Sequence, residues 1–212
     1  YLSIEFSPFQ NLKQRLRSEY DLMNYHASTV INNVLQGLKY LHDQGWVHCD
    51  VKPDNFLVDD EGSCKLIDFA LAVRISTKFG RMFGGGKSKT IAGTRSYMSP
   101  EQIRRKSLDN RSDIYSAGCL LTEIATRKVP FTGNTPEDLL ARHLRMKAPP
   151  ICSVNTNITQ EFSDLVDEML SKKPTDRPDS IGRILRRLSS MRIYKAQTIH
   201  PSKLSPADDG EF

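Results

Sequence analysis

The chain has 212 residues, of which 38% are hydrophobic and 26% charged, enough for one domain with one substantial core. Its 30 basic and 25 acidic residues are scattered and give a net charge of +5, which permits an acidic ligand without indicating a nucleic-acid partner. The four cysteines lack C-x-x-C or zinc-finger spacing and no apolar run approaches the roughly 18 residues of a membrane span, so we expect reduced thiols, a cytoplasmic location and no membrane contact within this segment.

The N-terminal half is predicted to contain a strand, a core helix and a β-hairpin. Tyr1 to Phe6 has the composition of a strand, and because no initiator Met precedes it, we expect the chain to continue upstream. Between Thr29 and Leu41 apolar residues recur at helical spacing. Phe56 to Val58 and Cys64 to Ile67 are short apolar runs separated by Asp-Asp-Glu-Gly, a turn-forming sequence that predicts a hairpin.

The rest of the chain is predicted to be mainly helical after a long loop. Arg74 to Ala92 is rich in Gly, Ser, Thr and Lys, which indicates a mobile loop. Ser99-Pro100 and Thr135-Pro136 each place an N-cap residue before a first-turn proline, so helices are expected to start there. Further helices are predicted at Asp113 to Thr126, Thr159 to Leu170 and Asp179 to Arg192.

A group of polar residues flanks the predicted hairpin on both sides. Asp50, Lys52 and Asn55 lie just before it and Asp68 just after it, so antiparallel pairing places Asn55 and Asp68 at the same open end. A carboxylate and an amide oxygen suit a hard cation, a second carboxylate can accept a proton, and an ammonium can meet phosphate oxygens. These are the groups that phosphoryl transfer requires, although a single Asp in such a loop is more often only a turn-former.

The residues from His48 to Asn55, His-Cys-Asp-Val-Lys-Pro-Asp-Asn, resemble the catalytic loop of protein kinases, and Asp68-Phe69-Ala70 resembles their D-F-G motif. The resemblance continues through Gly93 to Glu101, Ser112 to Gly118 and Arg177, and the wording Tyr-Met-Ser-Pro-Glu-Gln is most similar to bacterial kinases of the eukaryotic, or Hanks, type. It implies an α+β fold in which residues 1–192 form the large, C-terminal lobe of a protein kinase, mainly α-helical with a short catalytic-loop β-hairpin. We expect the polar residues 193–212 to form a disordered tail.

The resemblance also implies roles for individual residues in a serine/threonine kinase that uses ATP and Mg²⁺ and acts on a protein Ser or Thr. Asp50 would accept or orient the substrate hydroxyl proton, Lys52 would neutralise charge on the transferred group and the nucleotide phosphates, and Thr94 would steady both. Adenine would lie against the hinge at Glu5 and Ser7 with Leu57 beneath it. Asn55 and Asp68 would hold Mg²⁺. Two structural contacts are also implied: Glu101 would form a buried ion pair with Arg177, and Asp113 would tether the backbone of the catalytic loop.

The sequence departs from the kinase pattern at two positions and in its extent. Cys49 replaces the usual Arg, so we expect that phosphorylation of the following loop, for instance at Thr90, is not an obligatory switch through that contact. Ala70 stands where the pattern has Gly. No Gly-rich loop or strand Lys precedes Tyr1. The small N-terminal lobe is therefore an expected partner outside these residues, or else the protein is a kinase remnant or pseudokinase-like binding module; an exposed interface would make a dimer possible.

Overall fold

A computed structural model describes residues 7–75, 95–196, 200 and 202. Its first half contains three helices and four short strands within those ranges. The helices are α1 (Leu12–Ser18), α2 (Tyr20–Tyr25) and α3 (Ala27–Asp43). The strands are β1 (Trp46–Val47), β2 (Phe56–Val58), β3 (Cys64–Leu66) and β4 (Val73–Arg74). The second half is helical, with α4 (Pro100–Ile103), α5 (Asn110–Thr126), α6 (Pro136–Arg145), α7 (Ile151–Val154), α8 (Gln160–Met169) and α9 (Ile181–Leu188).

The core is built around α3 and α5. Helix α5 is buried on all sides over most of its length, as its apolar sequence predicted, and it packs against α3 and α8. Helix α3 presents its apolar stripe to α5, α9 and strand β3. Gly118 permits the close approach of α5 to α8, because a Cβ atom there would lie 3.1 Å from the Met169 Cβ.

The predicted hairpin is confirmed, and a second strand pair was not predicted. Phe56 pairs with Leu66 and Val58 with Cys64, so the second strand ends one residue earlier than expected. Strand β4 pairs with β1, which places Arg74 in a strand rather than at the start of the expected mobile loop. The remainder of that loop, residues 76–94, and the expected strand at residues 1–6 lie outside the described residues.

The described fold extends beyond the boundary expected at residue 192. Helix α9 begins after the N-cap Ser180 and ends at Leu188, four residues before the expected end. Residues 193–196 then run along the segment before α8: the Thr159 N–H donates to the Ile193 carbonyl and the Lys195 N–H to the Asn157 carbonyl. For these four residues the expectation of a disordered tail is wrong, because their backbone is hydrogen-bonded to the domain.

Two findings bear on the expectations about membranes and thiols. Within the described ranges, no helix combines the length and apolarity needed to cross a bilayer. All four cysteines are free thiols.

Candidate active site

Residues 48–55 connect β1 to β2 and carry most of the predicted catalytic residues. The Lys52 Nζ lies 2.7 Å from the Asp50 Oδ2, and the two side chains are only 17% and 11% exposed. The turn Pro53–Asn55 reverses the chain, so the Asn55 Nδ2 donates to the Asp50 backbone oxygen at 2.8 Å and to its Oδ2 at 3.2 Å. The structure therefore brings Asp50, Lys52 and Asn55 into one cluster.

Asp113, at the start of α5, holds the backbone of this loop. Its carboxylate accepts the N–H groups of His48 at 2.7 Å and of Cys49 at 2.9 Å, and its Oδ2 lies 2.9 Å from the His42 Nε2. Asp113 is 1% exposed, so these bonds form in a low-dielectric interior where charge-assisted hydrogen bonds are strong. The predicted tether is confirmed.

Cys49 adopts an unusual backbone conformation and carries a buried thiol. Its φ is 66°, in the left-handed region that residues with a Cβ seldom occupy. Burial, reinforced by the nearby Asp113 charge, raises the pKa of the Cys49 thiol to about 12. The thiol is therefore neutral at physiological pH, and the position that resembles an arginine site carries no charge.

Asp68 follows the hairpin at the end where Asn55 precedes it. The Ile67 N–H donates to the Asn55 carbonyl at 2.9 Å, which continues the strand pairing to the residue before Asp68. Asp68 has a φ of 61°, and its Oδ1 accepts the Ala70 N–H at 3.2 Å. Ala70 is not among the described residues with positive φ, so its Cβ causes no left-handed backbone strain in this turn.

Asn55 and Asp68 provide a donor set that fits Mg²⁺. In the described ranges no group of three His, Cys, Asp or Glu side chains is arranged to hold a metal ion. Mg²⁺ does not need such a cage, because it keeps several waters and combines one or two protein oxygens with phosphate oxygens. The Asn55 Nδ2 donates to Asp50, which leaves Oδ1 for a cation, and Asp68 is exposed.

The predicted adenine-binding residues are only partly described. Glu5 and Thr94, as well as Thr90, lie outside the described residues. Ser7 is half-buried. Leu57 forms an antiparallel bridge with Asn11 on the opposite side of β2 from β3, so the chain just after the predicted hinge lies against the hairpin.

A buried ion pair joins α4 to the segment before α9, as predicted. The Arg177 Nη1 lies 2.7 Å from the Glu101 Oε1, and Nη2 lies 3.0 Å from Oε2, so the contact is bidentate. Arg177 also donates to the carbonyls of Ser171 and Arg111. The pair fixes the helix that follows the segment containing Arg95–Tyr97.

Two contacts that support the loop, one of them indirectly through Asp113, were missed by the sequence analysis. His42 contacts Asp113, and Gln102 Nε2 donates to the Cys49 carbonyl at 2.7 Å. A local signal for Gln102 existed, because it stands three residues after the N-cap Ser99 in the Ser-x-x-Gln pattern of a capping box. That pattern predicts the cap but not the second partner, which lies 53 residues away in sequence.

Comparison with known proteins identifies relatives of this chain. The sequence pattern of the protein kinase domain matches residues 1–187. The chain is 32% identical to serine/threonine-protein kinase PknB of Mycobacterium tuberculosis over 199 residues, which cover 93% of this chain and 31% of that protein. It is 30% identical over 212 residues to a protein named probable serine/threonine-protein kinase in Clostridium perfringens, covering 100% of this chain and 30% of the relative. The chain thus spans about 30% of the length of the curated relatives it matches.

Proposed function

The chain belongs to the protein kinase family, and on this premise we propose that it transfers the γ-phosphate of ATP to a serine or threonine hydroxyl of a protein substrate. The observation that carries the proposal is the cluster of Asp50, Lys52 and Asn55. The loop that carries them is fixed by hydrogen bonds from its backbone to the Asp113 carboxylate. The Lys52 cation and the Asn55 amide each lie within hydrogen-bond distance of the Asp50 carboxylate, and in-line phosphoryl transfer needs a proton acceptor, a cation and a metal ligand placed together.

Asp50 is proposed to orient the attacking hydroxyl and to accept its proton. Its Oδ2 is occupied by Lys52 and Asn55, and among the described residues no donor contacts Oδ1. We assign that oxygen as the acceptor for the substrate hydroxyl. The Lys52 ammonium adjoins the same carboxylate and stabilises negative charge that develops on the transferred phosphate.

Asn55 and Asp68 are proposed to hold Mg²⁺, and Glu5, Ser7 and Leu57 to hold adenine. The protein kinase family uses ATP with a divalent metal, and a bound Mg²⁺ would neutralise charge on the phosphate oxygens. Two hydrogen bonds from the Asn55 Nδ2 to Asp50 orient the Asn55 amide for this role. The proposed metal ligand Asn55 is thus bonded directly to the proposed proton acceptor Asp50. We place this activity in the cytoplasm, where thiols stay reduced.

The proposal is tested by replacing Asp50 with Asn in the full-length natural protein. Loss of a positioned general base lowers kcat by about 10² to 10⁴-fold. The assay measures Mg-ATP-dependent phosphate transfer to Ser or Thr of a mixed protein substrate. Asp43→Asn is the matched control, because Asp43 lies on α3 with its side chain 56% exposed and, in the part of the chain that the structure describes, pairs only with Lys39 one turn away.

We expect full activity for Asp43→Asn and loss of phosphotransfer for Asp50→Asn. If the full-length protein transfers no phosphate, or if Asp50→Asn is as active as the control, the kinase proposal fails. A protein that binds partners without transferring phosphate would then be the alternative, a pseudokinase-like binding module.

A further inference from the structure

Distant parts of the chain hold the two peptide units that flank the Cys49 Cα atom. The Cys49 N–H donates to Asp113, while the Cys49 carbonyl accepts the Gln102 Nε2 at 2.7 Å. The carbonyl of Cys49 and the N–H of Asp50 belong to one planar peptide unit. The hydrogen bond to the Cys49 carbonyl therefore restrains the orientation of the peptide plane that contains the Asp50 Cα atom, and with it the direction of the Asp50 side chain.

The Gln102 amide can satisfy both of its neighbours in one orientation only. The Ser99 N–H donates to Gln102 Oε1 at 2.9 Å, and the Ser99 Oγ accepts the Gln102 N–H in return, which completes the capping box of α4. An N–H group on one side and a carbonyl on the other require the amide oxygen to face Ser99 and the amide nitrogen to face Cys49. A carboxylate could make the first contact but not the second.

We infer that Gln102 is a positioning residue for phosphoryl transfer. It holds Cys49 in its left-handed conformation and so sets the direction of Asp50, which it does not touch. Because Gln102 belongs to α4, it couples the segment just before that helix to the catalytic loop through an uncharged hydrogen bond. This inference rests on the proposed function for its kinetic consequence, but its structural consequence can be measured independently.

Gln102→Glu isolates the contact to the loop. Glutamate is a normal capping-box residue and keeps the acceptor for the Ser99 N–H, while it replaces the donor to the Cys49 carbonyl with a carboxylate oxygen. Gln14→Glu is the matched control, because Gln14 occupies the same position in the capping box of α1 with Asn11, and among the described residues its side chain makes no hydrogen bond to the loop. Both variants add the same charge at the same helical position.

The first measurement separates kcat from KM in the full-length protein. Misplacement of a catalytic group by about 1 Å costs about a hundredfold in rate, so we expect Gln102→Glu to lower kcat by about ten- to a hundredfold. The KM for ATP should change by less than about twofold, since the side-chain hydrogen bonds of Gln102 within the described ranges go to Ser99 and Cys49 and not to a proposed nucleotide-binding residue. Gln14→Glu should keep the wild-type kcat.

The second measurement uses the Cys49 thiol as a reporter that needs no kinase activity. Cys49 is 8% exposed and Cys119 is 0% exposed, so alkylation of each, followed by peptide mass spectrometry, reports loop opening and global unfolding respectively. We expect Gln102→Glu to raise the Cys49 alkylation rate at least about fivefold while Cys119 stays protected. If Cys119 is also exposed, the comparison is repeated with the nearly isosteric Gln102→Met.

The outcomes distinguish the two proposals. Faster Cys49 alkylation in a protein that transfers no phosphate supports the loop contact and removes the proposed function. An active protein in which Gln102→Glu and Gln102→Met both keep the wild-type kcat and Cys49 protection overturns the inference and leaves the proposed function intact.

Discussion

The buried pair of Glu101 and Arg177 leads to a quantitative stability prediction for Arg177→Met. The Arg177 side chain is 0% exposed and that of Glu101 is 6% exposed, so methionine would remove both side-chain hydrogen bonds that Arg177 donates to this buried carboxylate. The carbonyls of Ser171 and Arg111 would lose their donor as well. Removing one partner of such a pair costs about 3 to 5 kcal/mol. At about 2 to 4 °C per kcal/mol for a domain of this size, Tm should fall by roughly 6 to 20 °C.

Urea unfolding followed by the fluorescence of the single tryptophan, Trp46, measures this change. Arg183→Met is the control, because Arg183 lies 3.7 Å from Asp179 with both side chains more than half exposed, and such pairs contribute less than about 1 kcal/mol. The double variant Glu101→Leu/Arg177→Met should be more stable than Arg177→Met alone, since it removes the unpaired charge. Equal losses for Arg177→Met and Arg183→Met would refute this reasoning.

Three further predictions concern single groups. Burial, with a contribution from the Lys172 charge, lowers the pKa of His143 to about 4. Between pH 6.5 and 4 the unfolded chain therefore binds more protons than the folded one, and the free energy of unfolding should fall by about 3 kcal/mol as the pH is lowered across that window. Urea titrations at pH 7 and 4.5 measure this fall, which His143→Gln should remove. Asp113→Asn places an amide against two backbone N–H groups and should lower unfolding free energy by about 3 kcal/mol, with a loss of kcat; unchanged urea midpoints would contradict the tether. Asp68→Asn should raise the Mg²⁺ concentration for half-maximal phosphotransfer about tenfold or more, and an unchanged Mg²⁺ dependence would exclude Asp68 as a ligand.

Local signals in the sequence predicted the elements that depend on near neighbours. The α3 stripe, the Ser99 and Thr135 caps and the hairpin each depend on residues within one or two turns of chain. Strand β4 was missed because two-residue strands have no periodicity, and its pairing with β1 is a long-range event. The excess length predicted for α9 has a similar cause, since the residues after Leu188 keep an amphipathic pattern although the chain turns to pair with residues near Asn157.

Sequence reasoning predicted which residues form the candidate site but not the long-range contacts that position them. Hairpin geometry alone placed Asn55 and Asp68 at one end, whereas the tether by Asp113 and the pair of Glu101 with Arg177 followed only from the kinase resemblance. These contacts join residues 64 to 76 positions apart, and no spacing rule reaches that far. Gln102 shows the same limit, because its side chain serves a cap that sequence can reveal and a loop that it cannot.

The left-handed backbone at Cys49 has a consequence for the order of folding. An isolated loop has no reason to adopt this conformation, which costs roughly 1 kcal/mol or more in a residue with a Cβ. The carboxylate that stabilises it arrives from 64 residues further along the chain, after closure of a large intervening loop. The helical core must therefore assemble before the loop settles, so recovery of activity on refolding should lag behind recovery of helicity.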